Sequence, residues 1–471
     1  MLHDLALVLL LASVLAAPPA RPVTSSGGAT FPAPARVNPA RPNASNSPAP
    51  LDTIAPGSAA RALPPAGTSV TSTDVPAYWR TRAEKSGYRD TPDLDETVRF
   101  CRQLEAASTW VRVTSFGTSA QGRDLPLVIL SKDRAFTPEA AAGTGKPVVL
   151  ILNGIHSGEI EGKDACLALM RDMTVGRTRA ALLDSVIVLV VPVFSVDAHE
   201  RRSPYNRINQ NGPTEMGWRS DALGLNLNRD WLKAETPEMR ALLTNVYTRW
   251  WPHLLVDDHT TDGADYQHDL TYSVNHGPEV PRAIAHWMAE AVATRADTAV
   301  ARMGHLPAPY LNFRGDDPRS GIADGDAPPR FSNGYPVLRG RAAVLTETHM
   351  LKPYDVRVKA TYDWLVALLD EVHDRPRALL AAVAESEKEI AALGGTPGRE
   401  VPLAGALADS AERFDFHGYA WRRQPSDVTG APVIRWTSTV WDSVIPWYHA
   451  ERPDHVVRVP AGYVVPAEWT I

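Results

Sequence analysis

Short apolar runs alternate with amphipathic stretches through the middle of the chain. The runs 148–153, 186–193, 254–258 and 342–346 are rich in Val, Leu and Ile and too short for core helices, which predicts buried strands. Apolar positions recur at helical spacing between these runs, as over 163–173. Strands that are apolar on both faces and alternate with helices are typical of a largely parallel sheet that helices cover on both sides.

The two ends of this pattern modify the prediction. Residues 109–116 and 125–131 read as strands joined by a short segment that contains glycine, which favours an antiparallel hairpin and makes the sheet mixed. Residues 399–471 carry short segments rich in Val, Trp and Tyr between Pro and Gly residues, which is typical of β-structure. We therefore predict an α/β fold with a mixed, largely parallel central sheet flanked by helices and a small β-rich C-terminal appendage.

The first 72 residues differ in composition from the rest. Residues 5–14 form a short apolar stretch that small residues follow, which is typical of a secretory signal peptide. The Pro-, Ala- and Ser-rich segment after it has too little apolar surface to fold. The predicted organisation is a signal peptide over 1–17, a disordered linker over 18–72, the α/β domain over 73–375, a helical connector over 376–398 and the β-rich region over 399–471. A secreted or periplasmic location follows from the signal.

Charge and cysteine content exclude several classes of function. The net charge of the 471 residues is −6 and no basic cluster is present in the sequence, so nucleic acid is not an expected partner. Cys101 and Cys166 lie on apolar faces of predicted helices without C-x-x-C spacing, which favours buried thiols. No stretch after the signal reaches the ~18 consecutive apolar residues that a membrane span needs, so no transmembrane span is expected in the mature chain.

Residues with metal and acid–base chemistry follow the apolar runs. His156 and Glu159 follow the first run, His259 ends the third, and Glu347 follows the fourth. The carboxyl ends of parallel strands meet at one edge of a sheet, where ligands bind. A catalytic zinc takes three protein ligands, often two histidines and a glutamate, and a further carboxylate accepts the proton of water. We expect one zinc ion per chain at His156, Glu159 and His259, with Glu347 as the base. Each residue taken alone also fits an ordinary polar strand end.

A long polar segment between the second and third runs carries Asn228 and Arg229. An arginine guanidinium binds a carboxylate through two parallel hydrogen bonds, and an adjacent amide helps to orient it. Because these residues lie between the segments with the expected ligands, they are candidates for binding an anionic group of a substrate.

Over roughly residues 74–372 the chain resembles the zinc metallocarboxypeptidase family (M14, carboxypeptidase A-like). The motifs that carry the resemblance occur in the family's order: Gly122-Arg123, His156-Ser157-Gly158-Glu159, Pro192–Asp197, Asn228-Arg229, His259 and Thr346-Glu347. The resemblance implies a carboxypeptidase-like fold and a peptide substrate with a free C-terminal carboxylate. It also implies zinc binding by the three ligands above, a general base and later acid at Glu347, and a carboxylate site at Asn228 and Arg229.

The sequence departs from the family at two positions. The arginine that polarises the scissile carbonyl would fall on Gln210, so Arg207 or Arg219 is expected to replace it. A tyrosine that closes over the substrate is expected at Tyr335, with Tyr310 and Tyr266 as alternatives.

Two other functions fit the same residues. A related zinc amidohydrolase, acting on N-acyl amino acids or cell-wall peptides, would use the same ligands. A non-catalytic protein that binds peptides or glycans would keep the scaffold, but such proteins typically lose a ligand or the base, and this chain has all four residues. The side-chain specificity and the role of residues 399–471 do not follow from the sequence.

Overall fold

The computed structural model describes residues 75–261 and 263–469 of the chain. The predicted signal peptide and the predicted linker up to residue 72 lie outside the described residues. The described residues up to Ala461 belong to one compact unit. Residues 462–469 belong to a second unit and include a single 3-10 turn, Ala467–Trp469.

An eight-stranded mixed sheet forms the centre of the first unit, with the spatial order β1-β2-β4-β3-β5-β9-β6-β7. Its strands are β1 Val111–Thr118, β2 Asp124–Leu130, β3 Val148–Asn153, β4 Ile187–Val191, β5 Leu254–Thr260, β6 Leu270–Ser273, β7 Pro307–Pro309 and β9 Ala342–Thr348, with β8 Ile322–Ala323 outside this sheet. The four central strands β4, β3, β5 and β9 are parallel, β1 and β2 form an antiparallel hairpin, and β2 and β6 run antiparallel to the central strands beside them. The predicted mixed α/β fold is therefore confirmed.

Helices accompany the sheet along the chain. They are α1 Arg82–Ser86, α2 Leu94–Ala107, α3 Pro138–Thr144, α4 Glu161–Met173, α5 Val196–Glu200, α6 Pro237–Ala241, α7 Thr248–Trp250, α8 Arg282–Glu290, α9 Asp297–Arg302, α10 Gly334–Leu338, α11 Tyr354–Asp374 and α12 Pro376–Gly394. A turn of π-helix connects α6 to α7 and another connects α8 to α9. Helix α4 packs against α11, and α8 packs against α12. No helix among the described residues combines the length and the apolar character needed to cross a bilayer.

Helix α4 begins two residues before the predicted stretch 163–173. Its first residue, Glu161, is buried and accepts hydrogen bonds from the hydroxyl groups of Thr260 and Thr348 on β5 and β9. The Arg357 guanidinium of α11 lies 3.4 Å from the same carboxylate. A charged residue at a core position does not contribute to an apolar pattern. The helix start predicted at residue 163 is therefore two residues too late.

The C-terminal region contains longer strands than the sequence pattern suggests. They are β10 Glu400–Leu407, β11 Glu412–Pro425, β12 Pro432–Tyr448 and β13 Glu451–Arg458. Strands β11 and β12 form a long antiparallel hairpin whose pairing shifts between Tyr419 and Trp421 but continues on either side. Strand β12 also pairs in parallel with β8, so a three-stranded sheet joins this region to the segment before α10.

Candidate active site

The predicted ligands and base meet at one edge of the central sheet. Strands β3, β5 and β9 are consecutive in the sheet, and His259 of β5 is the register partner of Glu347 of β9. His156 and Glu159 lie in the loop between β3 and α4. A cavity of 220 Å³ opens over this edge, and His156, His259 and Glu347 are among the residues that line it. The structure therefore brings together four side chains that are up to 191 residues apart in sequence.

His156, Glu159 and His259 are arranged as a three-ligand metal site. One ligand atom from each lies within 4.8 Å of the other two, and all three side chains are buried. The Glu159 Oε2 atom is 3.3 Å from His156 Nδ1 and 2.8 Å from His259 Nδ1. Ligands of a tetrahedral zinc ion, at about 2.1 Å from the metal, are separated by roughly 3.4 Å. The two-histidine, one-carboxylate donor set and these separations fit zinc.

Hydrogen bonds on the far side of each imidazole determine which nitrogen faces the metal site. His259 Nε2 donates to Asp257 Oδ2 at 2.7 Å. His156 Nε2 donates to Asn226 Oδ1 at 2.9 Å, an oxygen that also accepts the Asn228 backbone N–H. A neutral imidazole with a proton on Nε2 has its lone pair on Nδ1. Nδ1 is therefore the nitrogen of each histidine that would be available to a metal ion at this site.

The charges around the three side chains shift their pKa values in different directions. Burial alone raises the pKa of Glu159, but His156 and Arg207 outweigh burial and hold this pKa well below its ordinary value. Burial lowers the pKa of His156. Burial also opposes the charged form of His259, but the adjacent Asp257 carboxylate reverses the effect and raises the pKa of His259 well above its ordinary value. Glu159 is therefore a carboxylate in the folded protein.

Arg207 and Arg219 both bind Glu159, but only one of them reaches the cavity. Arg207 Nη1 donates to Glu159 Oε1 at 2.6 Å, and its side chain is 8% exposed. Arg219 Nη1 donates to the same oxygen at 2.9 Å, yet its side chain is 43% exposed and lines the cavity. Gln210 accepts a hydrogen bond from Arg207 Nε and donates to the Gly158 carbonyl, so it supports the buried arginine. The structure thus separates the two arginines that the sequence left as alternatives.

Gly158 allows Arg207 to reach Glu159. A Cβ atom at this position would lie 2.7 Å from Arg207 Cγ and 3.0 Å from the Gly217 carbonyl oxygen. Both separations are shorter than a carbon atom normally tolerates, and the carbonyl belongs to backbone that cannot turn away. The glycine in the His-Ser-Gly-Glu motif is therefore required for close packing of the arginine segment against the ligand loop.

Asn228 and Arg229 both line the cavity but differ in burial. Asn228 is buried, its Oδ1 accepts the Ser332 backbone N–H at 2.8 Å, and its Nδ2 lies 3.3 Å from His259 Nε2. The Arg229 guanidinium lines the cavity 4.0 Å from the centre of the Phe331 ring and donates to the Asn228 carbonyl at 2.7 Å. Burial, followed by the charges of Arg219 and Arg330, lowers the pKa of Arg229, which marks this side of the cavity as positively charged.

The structure does not support Tyr335 as the residue that closes over a substrate. Its ring is packed in the core with ring centroids 5.9 Å from Trp231 and 5.7 Å from Tyr247, and its hydroxyl accepts a hydrogen bond from Arg339. Tyr266 is also buried, stacked 4.1 Å from the His349 ring. Tyr310 lines the cavity, so it is the one of the three predicted tyrosines that is placed to contact a ligand.

Sequence reasoning missed Asp257, Asn226 and the residues that form the cavity wall opposite the ligands. Asp257 precedes His259 by two positions, which places both on the same face of a strand, and this spacing was available as a signal. Asn226 has no distinguishing sequence context. The wall consists of Ser273, Asn312, Asn333 and a segment that follows β8, whose positions depend on long-range contacts.

One family profile matches part of the chain. Residues 97–294 match the sequence profile of the zinc carboxypeptidase family, peptidase family M14. No curated protein sequence matches the chain. Solved structures similar to this chain include a metallo-carboxypeptidase from Burkholderia cenocepacia, with 16% identity over 59% of this chain and 69% of that chain and a TM-score of 0.43.

Two further solved structures are similar at the same level. A metallo-carboxypeptidase from Pseudomonas aeruginosa, in complex with (2-guanidinoethylmercapto)succinic acid, shares 17% identity over 61% of this chain and 69% of that chain, with a TM-score of 0.43. Carboxypeptidase A from Helicoverpa armigera shares 14% identity over 66% of this chain and 74% of that chain, with a TM-score of 0.42. The family match covers residues 97–294, which is less than half of the chain and includes His156, Glu159 and His259, so this part of the chain is similar to the zinc carboxypeptidases.

Proposed function

We propose that the protein is a metallocarboxypeptidase that hydrolyses the C-terminal peptide bond of peptides with a free terminal carboxylate. The observation that carries the proposal is the cavity itself, which exposes two of the three metal-site residues, Glu347 and two arginines to one ligand. His156, Glu159 and His259 would bind one zinc ion per chain. When bound there, zinc supplies a Lewis acid that polarises a carbonyl group and makes water more acidic.

Glu347 is the proposed general base. Its carboxylate lies on the strand next to His259 and at the cavity surface, so it can accept a proton from the attacking water. The same carboxyl group then returns the proton to the leaving amine. Arg219 is the proposed electrophile, because its exposed side chain binds Glu159 and lines the cavity, from where it could stabilise the negative charge that develops on the carbonyl oxygen. Removing one donor of this kind costs about 3–4 kcal/mol in other enzymes.

Arg229 is the proposed binding residue for the terminal carboxylate. Its guanidinium is fixed by Phe331 and by the Asn228 carbonyl, which limits the conformational entropy lost on binding. Asn228 also lines the cavity, and its Oδ1 accepts the Ser332 backbone N–H, which holds the side chain beside Arg229. Substrates bound in this way present the last peptide bond to Glu347.

The decisive experiment combines metal analysis with a release assay. Purified protein would be analysed for bound zinc and incubated with a peptide mixture, and released amino acids would be identified. Stoichiometric zinc and release of single C-terminal residues support the proposal. Release of acyl groups from N-acyl amino acids, without cleavage of peptides, would favour the amidohydrolase instead. Absence of both zinc and hydrolysis would exclude the proposed reaction.

Export by an N-terminal signal is also part of the proposal, on the basis of the sequence of residues 1–17. Expression of the full chain followed by amino-terminal sequencing of the mature protein tests it. A mature protein that begins near residue 18 is expected. A protein that stays inside the cell and retains Met1 would contradict this.

A further inference from the structure

One wall of the cavity is formed by the end of the very short strand β8 and the residues that follow it. Ala323, Asp324, Gly325 and Ala327 all line the cavity. Strand β8 has only two residues, Ile322 and Ala323, whereas most strands are 3–10 residues long and need neighbouring strands for stability. This wall therefore depends on other segments for its position.

Strand β12 of the C-terminal region supplies the first support. It pairs in parallel with β8, with Trp447 opposite Ile322 and Tyr448 opposite Ala323. The Asp324 N–H donates to the Tyr448 carbonyl at 2.9 Å and continues this pairing into the wall. Gly321 precedes the pair with φ +86°, and a Cβ atom there would lie 2.4 Å from the Pro446 carbonyl oxygen. The close approach of β12 to this segment thus requires glycine at position 321.

Glu451 supplies a second support from the start of β13. Its Oε1 accepts the Asp326 N–H at 2.7 Å, so it holds the wall between Gly325 and Ala327. The Asp326 carboxylate in turn accepts the His276 N–H at 2.8 Å and the Gly277 N–H at 2.7 Å. These hydrogen bonds connect the C-terminal region, the wall and the segment after β6 in one chain of contacts.

Apolar packing holds the same segments together. Tyr266 and Ile322 of the α/β part form a buried cluster with Phe416 and Ile445 of the C-terminal hairpin. The Arg314 guanidinium lies 4.1 Å from the centre of the Tyr448 ring. Burial of four large side chains makes separation of the C-terminal region from the wall unfavourable. The region is therefore an integral part of the unit that contains the cavity.

We propose that the C-terminal β region, residues 400–458, sets substrate affinity by fixing the wall at residues 323–327, with Glu451 as the positioning residue. Among the described residues that line the cavity, none comes from this region, so its action is indirect. The wall is separate from His156, Glu159 and His259, so metal binding does not depend on Glu451. This inference rests on the proposed peptide hydrolysis, because substrate affinity is read through it.

Three variants test the proposal in the full chain. Glu451→Ala removes the acceptor for the Asp326 N–H, Glu451→Gln keeps a carbonyl acceptor at Oε1, and Asp454→Ala changes an exposed residue on the same strand as a control. Glu451→Ala is expected to raise KM for peptides on the order of tenfold, the effect of one lost hydrogen bond to a charged acceptor. The kcat and zinc content of this variant should stay within about twofold of wild type, which is well below the expected rise in KM from one lost hydrogen bond. Glu451→Gln and Asp454→Ala should keep the wild-type KM.

Hydrogen exchange separates this inference from the proposed function. The amides of residues 323–327 should exchange faster in Glu451→Ala than in the other two variants, whether or not the protein cleaves peptides. Unchanged exchange overturns the support role of Glu451, and faster exchange with unchanged KM overturns the link to affinity. If Glu451→Ala does not fold, Glu451→Asp replaces it in the test. Its shorter side chain should fail to reach the Asp326 N–H and should produce the same rise in KM. If the wild-type protein does not hydrolyse peptides, the proposed function fails, whereas the support role of Glu451 is still decided by hydrogen exchange.

Discussion

His259 and Glu347 are register partners on adjacent parallel strands, so a metal-site residue and the proposed base are held by the same ladder of backbone hydrogen bonds. Neighbouring strands are about 4.8 Å apart. The separation of these two residues is therefore set by the sheet rather than by a loop. A site on a sheet is more precise than a site on a loop, which suits a base that must remain close to the metal without binding to it.

Replacement of Glu347 by glutamine should separate chemistry from metal binding. Glutamine keeps the size of the side chain but cannot accept the proton of water, so kcat should fall by about 10²–10⁴-fold, the usual contribution of a general base. Zinc content, measured by atomic absorption, should equal that of wild type because Glu347 is not one of the three ligands. The exposed residue Glu385 offers a matched Glu385→Gln control with unchanged activity. An active Glu347→Gln enzyme that contains zinc would remove Glu347 from the base role.

The two arginines that bind Glu159 should give different phenotypes. Arg219→Ala should lower kcat by about 10²–10³-fold, as expected for loss of one oxyanion donor, with zinc affinity little changed. Arg207→Ala should weaken zinc binding, because the buried hydrogen bond that orients Glu159 is lost. Competition with a chelator measures the zinc affinity, and initial rates at saturating substrate measure kcat. The reverse pattern would show that the buried arginine acts on the substrate.

Asp257 should control zinc affinity through His259. The Asp257→Asn variant replaces a carboxylate that accepts the His259 Nε2 proton by a neutral amide, which weakens the preference for the tautomer with a lone pair on Nδ1. Loss of such a partner typically lowers metal affinity 10–100-fold. Chelator competition on folded protein, verified by circular dichroism, provides the measurement. Wild-type zinc affinity in this variant would mean that the remaining contacts of His259 are sufficient.

Arg229 should discriminate between free and blocked peptide termini. Arg229→Ala removes the guanidinium that is proposed to bind the terminal carboxylate, so KM for a peptide with a free terminus should rise on the order of 100-fold, since hydrogen bonds to charged groups contribute about 1.5–3 kcal/mol. KM for the same peptide with an amidated terminus should change little. Equal changes for both peptides would contradict the role of Arg229 as a carboxylate site.

Two carboxyl groups of an acidic cluster at the cavity wall, Glu279 and Asp326, should make stability depend on pH. Carboxyl oxygens of Glu279, Asp326 and Glu451 lie within 4.8 Å of one another. Burial, with a contribution from the other two groups, raises the pKa of Glu279 from its ordinary value of 4.5 to about 7. Burial likewise raises the pKa of Asp326 to about 6, although His276 lies nearby. The folded state therefore binds protons more tightly than the unfolded state in this range.

The stability that Glu279 contributes is fully present below pH 4.5 and is lost as the pH rises through about 7, whereas the Asp326 contribution is lost between pH 3.8 and about 6. Glu279→Gln removes one of the titrating groups, so the free energy of unfolding should fall less steeply with pH than in wild type. Urea denaturation at several values of pH across this interval measures the slope, with Glu385→Gln as the exposed control. Parallel curves for wild type and Glu279→Gln would show that Glu279 titrates normally.

The meeting of His156, His259 and Glu347 at one edge could be predicted from the sequence, because β3 is an apolar run and β5 and β9 each begin with one. His156, His259 and Glu347 come to one edge as soon as these strands are parallel and adjacent. The register that pairs His259 with Glu347 could not be predicted, because parallel strands can pair in several registers that keep the same apolar faces. The sequence contains no turn between β5 and β9 that would fix it.

The arginine assignment could not come from sequence, because the path of the long polar segment depends on distant contacts. Two backbone hydrogen bonds, from Ser157 N–H to the Trp218 carbonyl and from Gly217 N–H to the Ser157 carbonyl, fasten that segment to the ligand loop. These bonds use no side-chain chemistry and leave no pattern in the sequence. Tyr335 was misplaced for a related reason, since a tyrosine close to Glu347 in sequence is equally compatible with the core and with the cavity.

The arrangement around Glu159 determines the order in which the protein can fold and acquire metal. Its Oε1 accepts hydrogen bonds from two guanidinium groups, and its Oε2 accepts the Thr260 backbone N–H. A buried carboxylate compensated in this way does not need a bound cation to be tolerated in the core. The fold around Glu159 is therefore compatible with completion before the proposed zinc ion binds. If it forms first, the zinc supply around the protein, and not the folding yield, would set the fraction of protein that carries the metal.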